Sequence, residues 1–82
     1  MQVSVLYFAA LREHLALSEE RYDLPLSALS VRDFSEHLIA RHPTLKGRLE
    51  CVRFALNETF ATLDEPIHDG DTVALIPPVA GG

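Results

Sequence analysis

Cysteine and lysine are almost missing from this 82-residue chain. Cys51 stands alone, so no disulfide can close within it. Of the seven basic residues only Lys46 is a lysine; the others are Arg12, Arg21, Arg32, Arg41, Arg48 and Arg53. No stretch approaches the roughly 18 apolar residues that a membrane-spanning helix needs. Met1-Gln2-Val3-Ser4 puts no basic residue ahead of the first apolar run, unlike a signal peptide. A cytoplasmic protein with no membrane partner is expected. The glycines Gly47, Gly70, Gly81 and Gly82 form no G-x-x-x-x-G-K phosphate loop. His14, His37, His42 and His68 lack metal-ligand spacing; His37 and His42 are five apart rather than the i, i+4 of zinc proteases. All four are expected on the surface, as are the carboxylate pairs Glu19-Glu20 and Asp64-Glu65. Cys51 precedes a strand, where apolar burial would raise its thiol pKa and leave it inert and structural. Neither a metal nor a bound cofactor is expected.

What is present is an ordinary globular composition, 48% apolar and 23% charged, too apolar for a disordered chain. Its length allows one domain, residues 1–82, with a single core. A net charge of −5 argues against general nucleic-acid binding, which needs clustered Lys and Arg.

Val3 to Ala9 is apolar at almost every position and rich in β-branched and aromatic residues, which predicts an interior strand covered on both sides. Ala10 to Leu15 has good helix formers and predicts a short helical turn. Glu19 to Leu24 places Tyr22 and Leu24 in alternation, a second strand near an edge, stopped at Pro25. Ser30 can cap a helix, with Asp33 three residues on. Val31, Phe34, Leu38 and Ile39 then share one face until His42-Pro43 ends it. Val52–Leu56 and Phe60–Leu63 predict a hairpin across Asn57-Glu58-Thr59, where Asn57 tolerates positive φ. The stretch from Asp64 to Asp71 predicts a loop with Gly70 at its turn. Thr72 to Ile76 is the last strand, apolar throughout and therefore central. A single apolar helix stripe needs a sheet to lie on. The two terminal strands can pair in parallel because the helix supplies the crossover.

After that strand comes Pro77-Pro78-Val79-Ala80-Gly81-Gly82. Proline cannot keep donating to a central ladder, so the strand ends and the tail is aimed outward. Six extended residues reach at most roughly 20 Å. Gly81 and Gly82 lack side chains and can enter a narrow channel. A terminal carboxylate is a poor electrophile at neutral pH and must be activated before it can accept a new atom.

Three segments, Val5 to Glu13, Leu56-Asn57-Glu58-Thr59, and Asp69-Gly70-Asp71 through Gly82, together resemble the molybdopterin synthase small subunit, a ubiquitin-like sulfur carrier. The resemblance covers nearly the whole chain. It implies an α+β, ubiquitin-like β-grasp fold, a mixed five-stranded sheet with one main helix packed on one face and short helical turns. It implies that an adenylating enzyme similar to ubiquitin-activating enzymes uses ATP to activate Gly82. A sulfur donor system then makes the thiocarboxylate, with Gly81 giving access. The tail, residues 77–82, would insert into the large catalytic subunit, a heterotetramer in this family, and pass sulfur to the cyclic pyranopterin precursor. The chain itself would be a non-catalytic sulfur donor. Phe8, Phe60 and Ile76 match apolar family positions that are either docking surface or core, and Pro77, Pro78, Val79 and Ala80 would contact the partner.

Carriers for thiamine synthesis or tRNA thiolation share the fold and the Gly-Gly end, but the middle segment and Pro-Pro-Val favour molybdopterin. A protein modifier joined to lysine is the rival of a different class. With only Lys46 available, polymer building is disfavoured, while single conjugation is not. A plain binding module with an inert end is the third reading.

Overall fold

The structure is a computed structural model that describes residues 1–78. The chain runs β1 (Gln2–Tyr7), α1 (Ala9–Leu15), β2 (Glu19–Asp23), β3 (Ala28–Ser30), α2 (Val31–Arg41), a 3₁₀ turn (Pro43–Leu45), β4 (Arg53–Leu56), β5 (Thr59–Ala61), β6 (Pro66–His68) and β7 (Thr72–Ile76). Five strands form one sheet in the order β2-β1-β7-β4-β5. The two terminal strands meet at its centre, in parallel, with Val5 opposite Val73 and Tyr7 opposite Leu75. Every other pairing in that sheet is antiparallel, and β2 lies at an edge as expected.

Period two along each strand sorts the side chains. Val3, Val5 and Tyr7 of β1 and Val73 and Leu75 of β7 point to one face and are sealed there. α2 covers that face with Val31, Phe34 and Leu38, all fully buried. Ser30 caps the helix as the sequence predicts, its hydroxyl accepting from Asp33 N at 3.1 Å. The N–H groups of Val31 and Arg32, orphaned at a helix start, donate to the carbonyls of Glu65 and Leu63 at 2.9 Å each. Those carbonyls lie in the loop just ahead of a second sheet the sequence does not announce. β6, expected to be loop, pairs antiparallel with β3, Leu29 opposite Ile67. Strands of three residues are too short to show a period, and their partners lie nearly forty positions away.

The hairpin is tighter than predicted. Leu56 pairs with Thr59, leaving only Asn57 and Glu58 in the turn, with φ of 49° and 71°. Two consecutive positive φ values match the right-handed twist of the flanking strands. Gly70 also takes positive φ, 86°, at its predicted turn. Two expectations fail. β1 and β7 are covered on one face only, since a single long helix cannot cover two. Cys51 is exposed rather than buried, because β4 starts at Arg53 and Cys51 falls in the preceding turn.

Candidate functional site

On the uncovered face the same alternation leaves Leu6 of β1, Thr72, Ala74 and Ile76 of β7, Ala55 of β4 and Phe60 of β5. With Phe8, Asn57 and Glu58 they line an open groove of about 520 Å³. Phe8 and Phe60, 41% and 54% exposed, stand on opposite sides of it, and Ile76 is half-buried between them. The structure therefore brings the three apolar candidates together on the open face, outside the buried core cluster, with Phe8 and Phe60 exposed and Ile76 half-buried.

The backbone explains why. Phe8 precedes α1 in an extended conformation, and Ala9 turns the chain with a φ of 50°. The first two bonds of α1 close on the Phe8 carbonyl, from Leu11 N at 3.1 Å and Arg12 N at 3.4 Å. The Phe8 ring is thus set where β1 ends rather than continued into the core. Phe60 lies opposite Ala55 across the hairpin, a side chain too small to cover it. Arg53, two residues before Ala55 and so on the same face, places its guanidinium carbon 3.8 Å from the Phe60 ring centre. Such a cation–π contact at an exposed site contributes about 0.5–1 kcal/mol.

At the other end the groove is tied down by hydrogen bonds. The Asn57 side-chain oxygen accepts from Thr72 N at 3.0 Å, and its amide donates to Asp71 Oδ1 at 3.1 Å. Asp71 Oδ2 in turn accepts from His68 N at 2.8 Å. One asparagine thus joins the hairpin turn to the start of β7, which fixes the groove end.

Ile76 lines the groove and is followed directly by Pro77, half-buried, and Pro78, exposed. Whatever sits in the groove touches the root of the tail. Val79, Ala80, Gly81 and Gly82 lie outside the described residues. Among the described residues, no group of three His, Cys, Asp or Glu side chains is placed to hold a metal ion.

One polar cluster went unforeseen, on the helix side of the sheet. Glu20 and His42 were expected on the surface, yet the side chain of each is only 19% exposed. Glu20 Oε1 accepts from the Tyr7 hydroxyl at 2.8 Å and lies 2.8 Å from His42 Nε2. Arg41 Nη1 is 3.7 Å from the other carboxylate oxygen, and its guanidinium lies over the Tyr22 ring. Burial alone would raise the Glu20 carboxyl; the bonds from His42 and Tyr7, aided by the charges of His42 and Arg41, hold it below its ordinary value. Burial pushes the Tyr22 hydroxyl up to about 12 and Tyr7 higher still. None of these groups reaches the groove, so the cluster locks β1, β2 and the end of α2 together. The alternation that turns Tyr22 inward also turns Glu20 inward, the one sequence signal that could have found it.

A mixed sheet with paired terminal strands at its centre and one long helix across a single face defines a ubiquitin-like β-grasp protein. The chain belongs to the ThiS family, which it matches over residues 5–82. It is 39% identical to the molybdopterin synthase sulfur carrier subunit of Chlamydomonas reinhardtii, with all of both chains covered. In structure it resembles SAMP1, the small archaeal modifier protein 1 of Haloferax volcanii, at a TM-score of 0.89, 29% identity and full coverage of both chains. It also resembles a chain in the complex of subunits 1 and 2 of the molybdopterin-converting factor from Helicobacter pylori, at a TM-score of 0.69 and 26% identity, again covering all of both.

Proposed function

We propose that the chain is a cytoplasmic sulfur carrier of molybdenum-cofactor synthesis and the small subunit of a molybdopterin synthase. An adenylating partner lets the Gly82 carboxylate attack the α-phosphate of ATP, giving an acyl-adenylate and pyrophosphate. A sulfur donor then displaces AMP and leaves a thiocarboxylate. The groove docks on the large subunit, the tail enters that subunit's site, and the sulfur passes to the cyclic pyranopterin precursor. The chain brings no acid–base group to the reaction and binds no cofactor of its own; the residues it commits are Gly82 as carrier and Gly81 for access, with Pro77 to Ala80 as the stalk.

One observation carries this reading. Ile76, which lines the apolar groove with Phe8 and Phe60, is followed directly by Pro77-Pro78, so docking on the body also aims the tail. The full-length likeness to molybdopterin synthase sulfur carrier subunits, and to a chain in a complex of subunits 1 and 2 of a molybdopterin-converting factor, supports the same partner. The test is intact mass after co-expression with an adenylating enzyme and a sulfur source. The chain should gain the difference between a sulfur and an oxygen atom, and lose it again when large subunit and pyranopterin precursor are supplied. An unchanged mass would leave a plain binding module.

A second reading is favoured by the likeness to the small archaeal modifier protein: Gly82 joined to a lysine of another protein. The same co-expression separates the two, since a modifier would give lysine-linked adducts instead of a thiocarboxylate.

A further inference from the structure

What sets Arg53 apart is not the want of a partner, which Arg12 and Arg21 share among the described residues, but its seat over an aromatic ring beside the root of the tail. Arg32 is paired with Asp64 at 2.7 Å, and Arg41 reaches Glu20 and the Arg21 carbonyl. Among the described residues the Arg53 guanidinium has neither a carboxylate partner nor a hydrogen bond. It is nonetheless placed over the Phe60 ring. Stacking of this kind restrains a side chain that otherwise carries much rotamer freedom, while its donors stay available for a carboxylate. Arg53 also lies directly across from Ile76, the last strand residue before the tail. Arg53 does not itself line the groove but borders it through Phe60 and Ile76; at the far end Glu58 does line it, exposed on the turn and also without a cation among the described residues. The rise along β4 puts these two ends roughly 15 Å apart.

We propose that Arg53 is the specificity-determining residue of the docking face: beside the root of the tail it pairs with a carboxylate of the large subunit, while Glu58 at the far end of the groove faces a cation. The inference rests on the docking reading above. Between those two charges the groove is apolar, and an apolar groove alone would accept a partner in either direction. A cation at one end and an anion at the other oppose reversed docking through like-charge contact. Only one direction carries the tail into the partner's site. In a chain of net charge −5, a cation held beside the root of the tail is also a local feature that a carboxylate would find.

The test uses the full chain with the large subunit of molybdopterin synthase from the same organism, measuring association rate and Kd at low and at high ionic strength. Arg53→Glu should weaken binding at low salt by about tenfold or more, mostly through the association rate, with the gap closing as salt rises. Arg53→Met keeps an unbranched apolar side chain beside Phe60 but removes the charge and with it the cation–π contact, so it should show a smaller loss with a weaker salt dependence. Glu58→Arg combined with Arg53→Glu preserves net charge and should bind worse than wild type. If Arg53→Glu and Arg53→Met both bind like wild type while wild type binds well, Arg53 reads nothing and docking itself stands. If wild type does not bind the large subunit, the docking reading fails and takes this inference with it. Should Arg53→Glu fold poorly, Arg53→Met carries the decision.

Discussion

One face of the five-stranded sheet holds Val3, Val5, Tyr7, Val73 and Leu75 under α2, with essentially no exposure. The other holds Leu6, Phe8, Phe60, Ala74 and Ile76, covered by nothing among the described residues. The two sets are alike in chemistry, and neighbours in sequence belong to opposite ones: Tyr7 and Phe8, Leu75 and Ile76. Apolar content therefore does not distinguish a core from a docking surface here. The supply of helix does. With one long helix among the described residues, one face is buried by folding and the other is left open.

This contrast is easiest to break with paired phenylalanine substitutions. Phe34 is fully buried against Tyr22, the ring centres 5.2 Å apart. Phe34→Ala should destabilise the fold by about 3–5 kcal/mol, read by urea denaturation. Phe60→Asp on the open face should change stability by less than about 1 kcal/mol, the size of its contact with Arg53. Equal losses at the two sites would mean the open face is part of the core.

The same pair sharpens the functional half. Phe60→Asp should weaken binding to the large subunit by about 2 kcal/mol or more, as the loss of a central aromatic anchor does. A calorimetric titration that matches wild type would remove Phe60 from the interface and leave the groove without its main anchor.

Much of this architecture is legible in the residues because local rules and tertiary context agree. The Ser30 cap, the Val31-Phe34-Leu38 stripe, the Asn57 turn and the proline stop after Ile76 each have a short-range cause. The small β3–β6 sheet has none: only Ile67 is buried in β6, and its partner strand lies far away in sequence. The face assignment was hidden for a different reason. A run such as Val3 to Ala9 is apolar at both parities, so periodicity shows a strand without showing which parity the helix covers. The Glu20–His42 contact depends on where α2 ends over β2, a distance no spacing reveals.

That contact gives the next effect in size. The folded Glu20 carboxyl lies below its ordinary value of 4.5, so its ionised form is favoured by folding. The stabilisation is fully present above that value and is lost as pH falls through the lower, folded one. Glu20→Gln removes the charge at every pH. It should cost about 1.5–3 kcal/mol near neutrality, the range for hydrogen bonds to a charged group, and the gap from wild type should narrow below pH 4.5. Thermal unfolding of both proteins across that range would show it. A gap that stays constant down to strong acid would mean the carboxylate charge plays no part. Partner binding should be unaffected, because the cluster lies on the covered side.

The smallest expected effect tests how firmly α1 fixes Phe8 beside the groove. Ala16 ends α1 with a φ of 57°, its N–H donating back toward the Arg12 carbonyl, an arrangement in which glycine is the usual residue. A left-handed conformation costs a non-glycine residue roughly 1–2 kcal/mol. Glycine escapes that strain but loses about 0.5–1 kcal/mol of extra backbone entropy on folding. The two terms oppose each other, and the strain is the larger. Ala16→Gly should therefore stabilise the protein by a few tenths to about 1 kcal/mol, detectable as a rise in the urea midpoint at constant slope. Ala9 at φ 50° sits between Phe8 and the helix, so the same substitution there relieves strain while loosening the residue that aims the ring. If Ala9→Gly gains stability and loses affinity for the large subunit, while Ala16→Gly gains stability alone, the strain at Ala9 serves the open face rather than the fold.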